Sequence, residues 1–129
     1  MKILALDYGS ARTGVAVSDP SGTLARPVGV VARVRSDRGR EELVALIRAE
    51  SPERIVVGMP LTLRGERGKQ ARETERFVEE LRAAVDVPVE TYDERFTTAL
   101  AGAGGSAPED ARAAAHLLSS WLEWNRATQ

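Results

Sequence analysis

The chain has 129 residues, of which 43% are hydrophobic and 29% are charged. These values are typical of one globular domain with a buried core, so we expect a single domain over residues 1–129. The length excludes a large enzyme whose site needs two full lobes in one chain. The absence of cysteine excludes disulfides, thiolate zinc sites and a cysteine nucleophile.

The apolar run at the N-terminus is short, because Asp7 interrupts it. A signal peptide needs a longer run, and no stretch approaches the ~20 apolar residues of a membrane span. We therefore expect a cytoplasmic protein with no membrane partner. The formal net charge of -1 gives no general attraction to nucleic acid.

Hydrophobic periodicity predicts three strands, followed by helices that alternate with strands. Asp19 to Gly22 is the strongest turn signal, Ser36 or Asp37 is the candidate helix cap, and Pro52 marks a helix end. The predicted elements are strands over 2–7, 13–18 and 26–35, a helix over 36–50, a strand over 54–58, a helix over 70–85, a strand over 87–92 and a helix over 108–126.

This β-β-β-α-β-α-β-α order predicts an α/β fold. Tight turns join the first three strands, which indicates an antiparallel meander. The last two strands alternate with helices and should be parallel, with helices on both faces. The sequence therefore predicts a five-stranded mixed sheet.

Acidic side chains stand at three predicted element ends. Asp7 closes the first strand, Asp93 and Glu94 follow the fifth, and Asp110 begins the last helix. Ligands of open α/β sheets bind beyond the carboxyl ends of the strands, where the first two positions lie. The alternative is that these acids cap a turn, a short helix or a helix dipole.

Asp110 lies on the same predicted helix face as Ala114, Leu117 and Trp121, which should meet the sheet. An unpaired buried carboxylate is costly, and a metal ion or an arginine would offset that cost. Carboxylates from two strand ends and a helix start can converge on hard cations such as Mg²⁺. Two such ions can stabilise both the attacking and the leaving oxygen in phosphodiester cleavage.

Four motifs, in order along nearly the whole chain, resemble the YqgF/RuvX family of pre-16S rRNA nucleases, also described as Holliday-junction-resolvase-like proteins. They are Ile3-Leu4-Ala5-Leu6-Asp7-Tyr8-Gly9-Ser10-Ala11-Arg12-Thr13-Gly14-Val15-Ala16, Val56-Val57-Gly58-Met59-Pro60-Leu61, Asp93-Glu94-Arg95-Phe96-Thr97-Thr98, and Asp110 followed by Ala113-Ala114 and Leu117-Leu118.

The resemblance implies an RNase H-like fold with sheet order 3-2-1-4-5. It also implies a Mg²⁺- or Mn²⁺-dependent nuclease with two ions, held by Asp7, one acid of the Asp93-Glu94 pair, and Asp110. In that sheet order the strand ending at Gly58 lies between the first and fifth strands. We favour Glu94, because a glycine there leaves room for the longer side chain to reach Asp7, and alternation should turn only one acid inward.

The resemblance also implies a nucleic-acid partner, either pre-rRNA or branched DNA. Members of the family usually carry a basic segment before the last aspartate, but residues 99–109 contain no basic residue. Positive charge flanks the loop after the fourth strand instead, where glycines allow close approach to phosphate. The predicted nucleic-acid-binding residues are Arg64, Arg67, Lys69 and Arg72, with Arg12 and Arg95 either facing the site or pairing with its carboxylates.

Other interpretations remain open. The basic residues after the fourth strand can form a solvated helix face with Glu66, Glu73 and Glu75 as partners. The protein can be a non-catalytic RNA-binding ribosome-assembly factor, or an actin-like ATPase, which its length disfavours. We expect a monomer or a weak homodimer, and we expect Trp121 and Trp124 to pack in the core.

Overall fold

The structure, a computed structural model, describes residues 1–60, 64, 68–94 and 109–128. None of the helices in these ranges is long and apolar enough to span a membrane. The elements are β1 (Ile3–Asp7), β2 (Arg12–Ser18), β3 (Ala25–Ala32), α1 (Asp37–Glu50), β4 (Arg54–Met59), α2 (Lys69–Ala84), β5 (Val89–Asp93) and α3 (Glu109–Ala127).

The five strands form one sheet in the order β3-β2-β1-β4-β5. β2 is antiparallel to both β1 and β3, whereas β4 is parallel to β1 and β5. The predicted element order and mixed sheet are thus confirmed. The carboxyl ends of β1, β4 and β5 meet at one edge, as parallel strands require.

The third strand is shorter than predicted and ends at Ala32 rather than at residue 35. Arg33 has a φ of 45°, and its carbonyl accepts hydrogen bonds from both the backbone and the hydroxyl of Ser36. The Ser36 hydroxyl also accepts from the backbone of Gly39 at 3.1 Å. Ser36 is therefore the N-cap of α1, as expected from the sequence. The turn from Arg33 to Ser36 precedes the helix and ends β3 before residue 35.

The sheet separates two apolar layers. Leu4, Leu6 and Val57 face α1 and α2 and pack with Leu43 and Phe77. The alternate positions face α3, because successive strand side chains point to opposite faces. That second layer contains Ile3, Ala5, Ala16, Val56, Tyr92, Leu117 and Trp121.

The prediction that both tryptophans pack in the core is half wrong. Trp121 is 1% exposed, but Trp124 is 48% exposed. The buried positions of α3 are 111, 114, 117, 118, 121 and 122, and Trp124 continues past the end of that stripe. Its ring instead lies 6.1 Å from that of Tyr92 in a tilted contact.

Candidate functional site

Asp7 and Glu94 come together across the end of β4. Asp7 closes β1 and Glu94 directly follows β5, and the two side chains share a hydrogen bond. Gly58 of β4 lies between them, and a Cβ there would come within 2.7 Å of the Glu94 Oε1 atom. The predicted reach of Glu94 over a glycine is therefore present, and the lack of a side chain at Gly58 permits it.

Asp93 lies on the other side of the strand. It pairs with Met59, whereas Tyr92 pairs with Gly58. Since Tyr92 belongs to the layer that faces α3, alternation directs the next residue, Asp93, away from that layer and Glu94 back towards it. Of the two acids, the structure brings Glu94 to Asp7.

Asp110 is brought to the same edge by close contact between α3 and β2. A Cβ on Gly14 would overlap the backbone carbonyl of Asp110, so the first turn of α3 can lie on β2 only because residue 14 is glycine. Gly14 is also the register partner of Asp7. These two glycine contacts place Asp7, Glu94 and Asp110 on one face of the sheet.

The Asp110 side chain is not buried as predicted, since 41% of it is exposed. The backbone of the first helical turn meets the sheet, while the carboxylate turns outward to Arg12, whose Nε lies 3.3 Å from Oδ2. Arg12 and Gly14 are two residues apart on β2 and share a face. The arrangement is the predicted alternative in which Arg12 pairs with a site carboxylate.

The half-buried carboxyl groups of Asp7 and Glu94 resist ionisation. Burial raises the pKa of Glu94 to about 7, with further contributions from its hydrogen bond to Asp7 and from the charges of Asp7 and Asp93. Burial and the charge of Asp110 raise the pKa of Asp7, although its hydrogen bond with Glu94 opposes that effect. Two like charges in a partly buried site disfavour each other, and a bound cation would relieve that repulsion.

Within the described part of the chain, no three acidic, histidine or cysteine side chains stand close enough to form a ready cation site. Asp110 is engaged with Arg12 and not with the other two acids. The donors are all carboxylate oxygens, which suit Mg²⁺ or Mn²⁺. The residues fit such an ion provided that Asp110 exchanges Arg12 for it.

A cavity of about 160 Å³ adjoins the carboxyl pair on the side of α2. Asp7 and Glu94 line it, together with Gln70 and Glu73 of α2. The Tyr8 hydroxyl donates to Glu73 Oε1 at 2.8 Å, and the Tyr8 ring stacks on Phe77 with centroids 4.7 Å apart. The sequence analysis did not predict this contact and named Glu73 only in the alternative in which it pairs with nearby basic residues, because the spacing of α2 does not reveal which strand end the helix faces.

The predicted basic residues that the structure describes do not form one cluster. Arg64 and Lys69 are exposed near the start of α2. Arg72 lies away from the carboxyl pair, in a shallow groove that it shares with Arg35, Arg76 and three glutamates. Arg67, Arg95 and residues 99–108, for which the sequence makes predictions, lie outside the described residues.

The chain is similar in sequence to a known protein family. The profile of the family described as "RuvX: Holliday junction resolvase" matches residues 1–124. A Chloroflexus aurantiacus protein named "Putative pre-16S rRNA nuclease" is 43% identical over 99 residues, which are 77% of this chain. The match spans only 65% of that relative's own length. A protein of the same name from Anaeromyxobacter sp. is 39% identical over 137 residues, covering 98% of this chain and 100% of its own.

The fold has a solved counterpart in the structure of Thermus thermophilus RuvC in complex with a Holliday junction substrate. The TM-score is 0.65 at 17% identity, covering 100% of this chain and 97% of that chain. RuvC has an RNase H-like fold, so the predicted fold is confirmed. At this level of identity the likeness concerns the fold alone.

Proposed function

The chain belongs to the RuvX family, described as Holliday junction resolvases, and on this basis we propose that it is a metal-dependent nuclease. Its substrate is structured nucleic acid, through 5′-end processing of pre-16S rRNA, resolution of Holliday junctions, or both. The observation that carries the proposal is the carboxyl pair Asp7–Glu94 formed across Gly58. Two neighbouring carboxylates of like charge lower the free energy of unfolding, and such unfavourable pairs are typical of sites where acidic side chains have a functional role.

Asp7, Glu94 and Asp110 would hold Mg²⁺ or Mn²⁺, with two ions proposed and Asp93 as the alternative ligand to Glu94. When bound, the ions would activate water and stabilise charge on the attacking and leaving oxygens of a phosphodiester. Asp7 and Glu94 are fixed by the ends of β1 and β5, so the polypeptide supplies their spacing. Asp110 completes the set after it separates from Arg12.

The arginines and lysines would hold the substrate. Arg12, released from Asp110, presents a planar fork that suits a phosphate near the carboxyl groups. Arg64 and Lys69 lie exposed before and at the start of α2, and Arg67 and Arg95 belong to the same proposed set. Arg72 would contact phosphates farther along the chain of nucleotides, since its groove is separate from the cavity.

Cleavage assays test the proposal directly. Purified wild type and Asp7→Asn are compared on a Holliday junction, single-stranded RNA and a pre-rRNA fragment, each with Mg²⁺ or Mn²⁺. We expect cleavage by the wild type and its loss in Asp7→Asn, with both proteins folded. Asp86→Asn is the matched control, because Asp86 is exposed and precedes β5 at the opposite edge of the sheet.

Full activity of Asp7→Asn would disprove the proposed site. Metal-independent RNA binding, with no wild-type cleavage at any divalent concentration, would identify a non-catalytic RNA-binding assembly factor instead. We also propose that the protein is cytoplasmic, as an rRNA precursor substrate implies. A monomer or weak homodimer is our proposal for its assembly state, and sedimentation at increasing concentration would test it.

A further inference from the structure

The cavity beside the carboxyl pair is also lined by residues that have no role in the proposed cleavage chemistry. At about 160 Å³ it is roughly ten times larger than the ~15 Å³ that one ordered water requires. Glu73 and Gln70 of α2 line it together with Asp7 and Glu94. A group larger than water, attached to whatever the carboxyl pair acts on, therefore has room beside the reacting bond.

Glu73 is held in place by the residue that follows Asp7. The Tyr8 hydroxyl donates to Glu73 Oε1 at 2.8 Å, and the ring of Tyr8 is fixed by stacking on Phe77. One strand end thus positions both Asp7 and, through Tyr8, the carboxylate of Glu73. An ionised carboxylate has about four acceptor positions on two oxygens, so the contact with Tyr8 leaves capacity for a further donor.

A carboxylate held in a fixed position determines which groups of a bound nucleic acid can lie beside it. It repels the phosphate oxygens of a nucleic acid and accepts hydrogen bonds from donors. The sugar–phosphate backbone of DNA carries no such donor, whereas that of RNA carries the 2′-hydroxyl at every nucleotide. An acceptor placed close to the cleaved bond therefore favours RNA.

We propose that Glu73 accepts a hydrogen bond from the 2′-hydroxyl of a nucleotide next to the cleaved phosphodiester and is a specificity-determining residue for RNA. This inference rests on the proposed nuclease function and adds a residue that distinguishes RNA from DNA at that site. A base amino or imino group is the other possible donor of the same chemistry. The experiment separates the two sources.

The test uses the full chain and RNA oligonucleotides carrying one 2′-deoxy or one 2′-fluoro nucleotide at each position around the mapped cleavage site. The 2′-fluoro group keeps an RNA-like sugar but cannot donate. For wild type, both changes at one position should lower kcat/KM by about tenfold or more, the usual size for a hydrogen bond to a charged group. In Glu73→Ala, unmodified RNA should lose a similar factor, and the modifications should cost nothing further.

Matched variants sharpen the result. Glu73→Gln keeps an acceptor oxygen and should retain part of the discrimination, and Tyr8→Phe, which frees the carboxylate, should fall between wild type and Glu73→Ala. Mn²⁺ affinity measured by calorimetry should be unchanged in Glu73→Ala. Circular dichroism melts check that each variant folds.

Several results would overturn the proposal. These are equal sensitivity to 2′-deoxy substitution in wild type and Glu73→Ala, sensitivity that follows base modification instead, and loss of Mn²⁺ affinity in Glu73→Ala, which would make Glu73 a metal ligand. If wild type cleaves nothing, the nuclease proposal fails separately. Binding of the same oligonucleotides, followed by fluorescence anisotropy, then decides the role of Glu73, and equal binding of RNA and its single-deoxy forms would reject it.

Discussion

The guanidinium Nε of Arg12 lies 3.3 Å from Oδ2 of Asp110 and occupies one side of a carboxylate that the proposed metal centre needs. Both side chains are substantially exposed, at 70% and 41%. An ion pair in such surroundings contributes about 0–1 kcal/mol. Arg12 is therefore a competitor that a divalent cation can displace at modest cost.

Replacement of Arg12 should strengthen metal binding. We expect Arg12→Gln to raise Mn²⁺ affinity by up to about fivefold, the factor that the upper limit of this ion-pair energy converts to, while cleavage loses the proposed phosphate contact. Isothermal titration calorimetry measures the affinity without substrate. Arg38→Gln, an exposed change in the first turn of α1, is the control, and unchanged or weaker Mn²⁺ binding by Arg12→Gln would contradict the competition.

Removing the charge of Glu94 from the carboxyl pair should raise the free energy of unfolding of the metal-free protein. Glu94 hydrogen-bonds to Asp7 in a half-buried site where burial disfavours its charge. Glu94→Gln keeps the shape and a donor for Asp7 but removes the like charge. The gain at pH 8 should reach up to about 1 kcal/mol, a value reduced for solvent screening.

Urea unfolding with a metal chelator present measures this gain, and Glu123→Gln on the exposed face of α3 is the control. A metal-free Glu94→Gln protein less stable than wild type would show that the carboxyl pair is a stabilising element and not a strained site. The same variant should lose cleavage.

The turn between β2 and β3 gives a pH-dependent prediction away from the site. Asp19 accepts hydrogen bonds from the backbone N–H groups of Thr23 and Leu24 at 2.7 and 3.0 Å. Asp19 also accepts a hydrogen bond from the Ser21 hydroxyl, which has the largest effect on its pKa. Together these contacts lower the pKa of Asp19 from its ordinary 3.8 to about 2. The contribution to stability is therefore present above pH 3.8 and is lost as the pH falls through 2.

Asp19→Ala should accordingly be less stable than wild type at pH 7, and the difference should narrow as the pH approaches 2. Urea midpoints at pH 7, 4 and 2.5 follow the change. A difference that is independent of pH would mean that the side chain acts through packing or backbone conformation and not through its charge.

Sequence patterns located most of the fold and part of the site, and the division has a physical basis. Periodicity and capping depend on neighbours in the chain, which is why the order of elements along the chain and a cap at Ser36 or Asp37 were predictable. The order of strands in the sheet was expected from the family resemblance, and the contact of Glu94 with Asp7 followed from that order, from alternation and from the glycine on the strand between them.

The remaining features depend on how distant elements pack. The Tyr8–Glu73 contact joins residues 65 positions apart, and nothing local in α2 indicates it. The Asp110 side chain points outward because the backbone of the first turn of α3 is what contacts the sheet at Gly14. The rotation of α2 about its axis likewise decides that Arg72 faces a groove and Glu73 faces the cavity.

Two glycines in β2 and β3 provide a matched pair for the packing argument. A Cβ at Gly14 would overlap the Asp110 backbone carbonyl, whereas a Cβ at Gly29 meets nothing within 4 Å. Gly14→Ala should therefore force α3 off the sheet and destabilise the fold by about 1–3 kcal/mol, while Gly29→Ala should change stability by less than about 0.5 kcal/mol. Equal chemical-denaturation midpoints for the two variants would contradict the close approach of α3.

Gly58 should separate site geometry from stability. A Cβ there would lie 2.7 and 3.0 Å from Oε1 and Cγ of Glu94 and 3.1 Å from Leu117 Cδ2. All three are side-chain atoms, and the Glu94 side chain can move, so Gly58→Ala should cost less than about 1 kcal/mol, whereas the Cβ of Gly14→Ala meets backbone that cannot move. The movement nevertheless takes Glu94 away from Asp7.

We therefore expect Gly58→Ala to fold normally but to bind Mn²⁺ at least about tenfold more weakly, since one misplaced carboxylate removes a charged ligand. Calorimetry with Mn²⁺ and a thermal melt of the same sample give both quantities. If Mn²⁺ affinity is retained in Gly58→Ala, Glu94 is not a ligand, and Asp93 becomes the acid to test. Weaker Mn²⁺ binding together with an unchanged melt would instead tie the function of Gly58 to the space it leaves for Glu94.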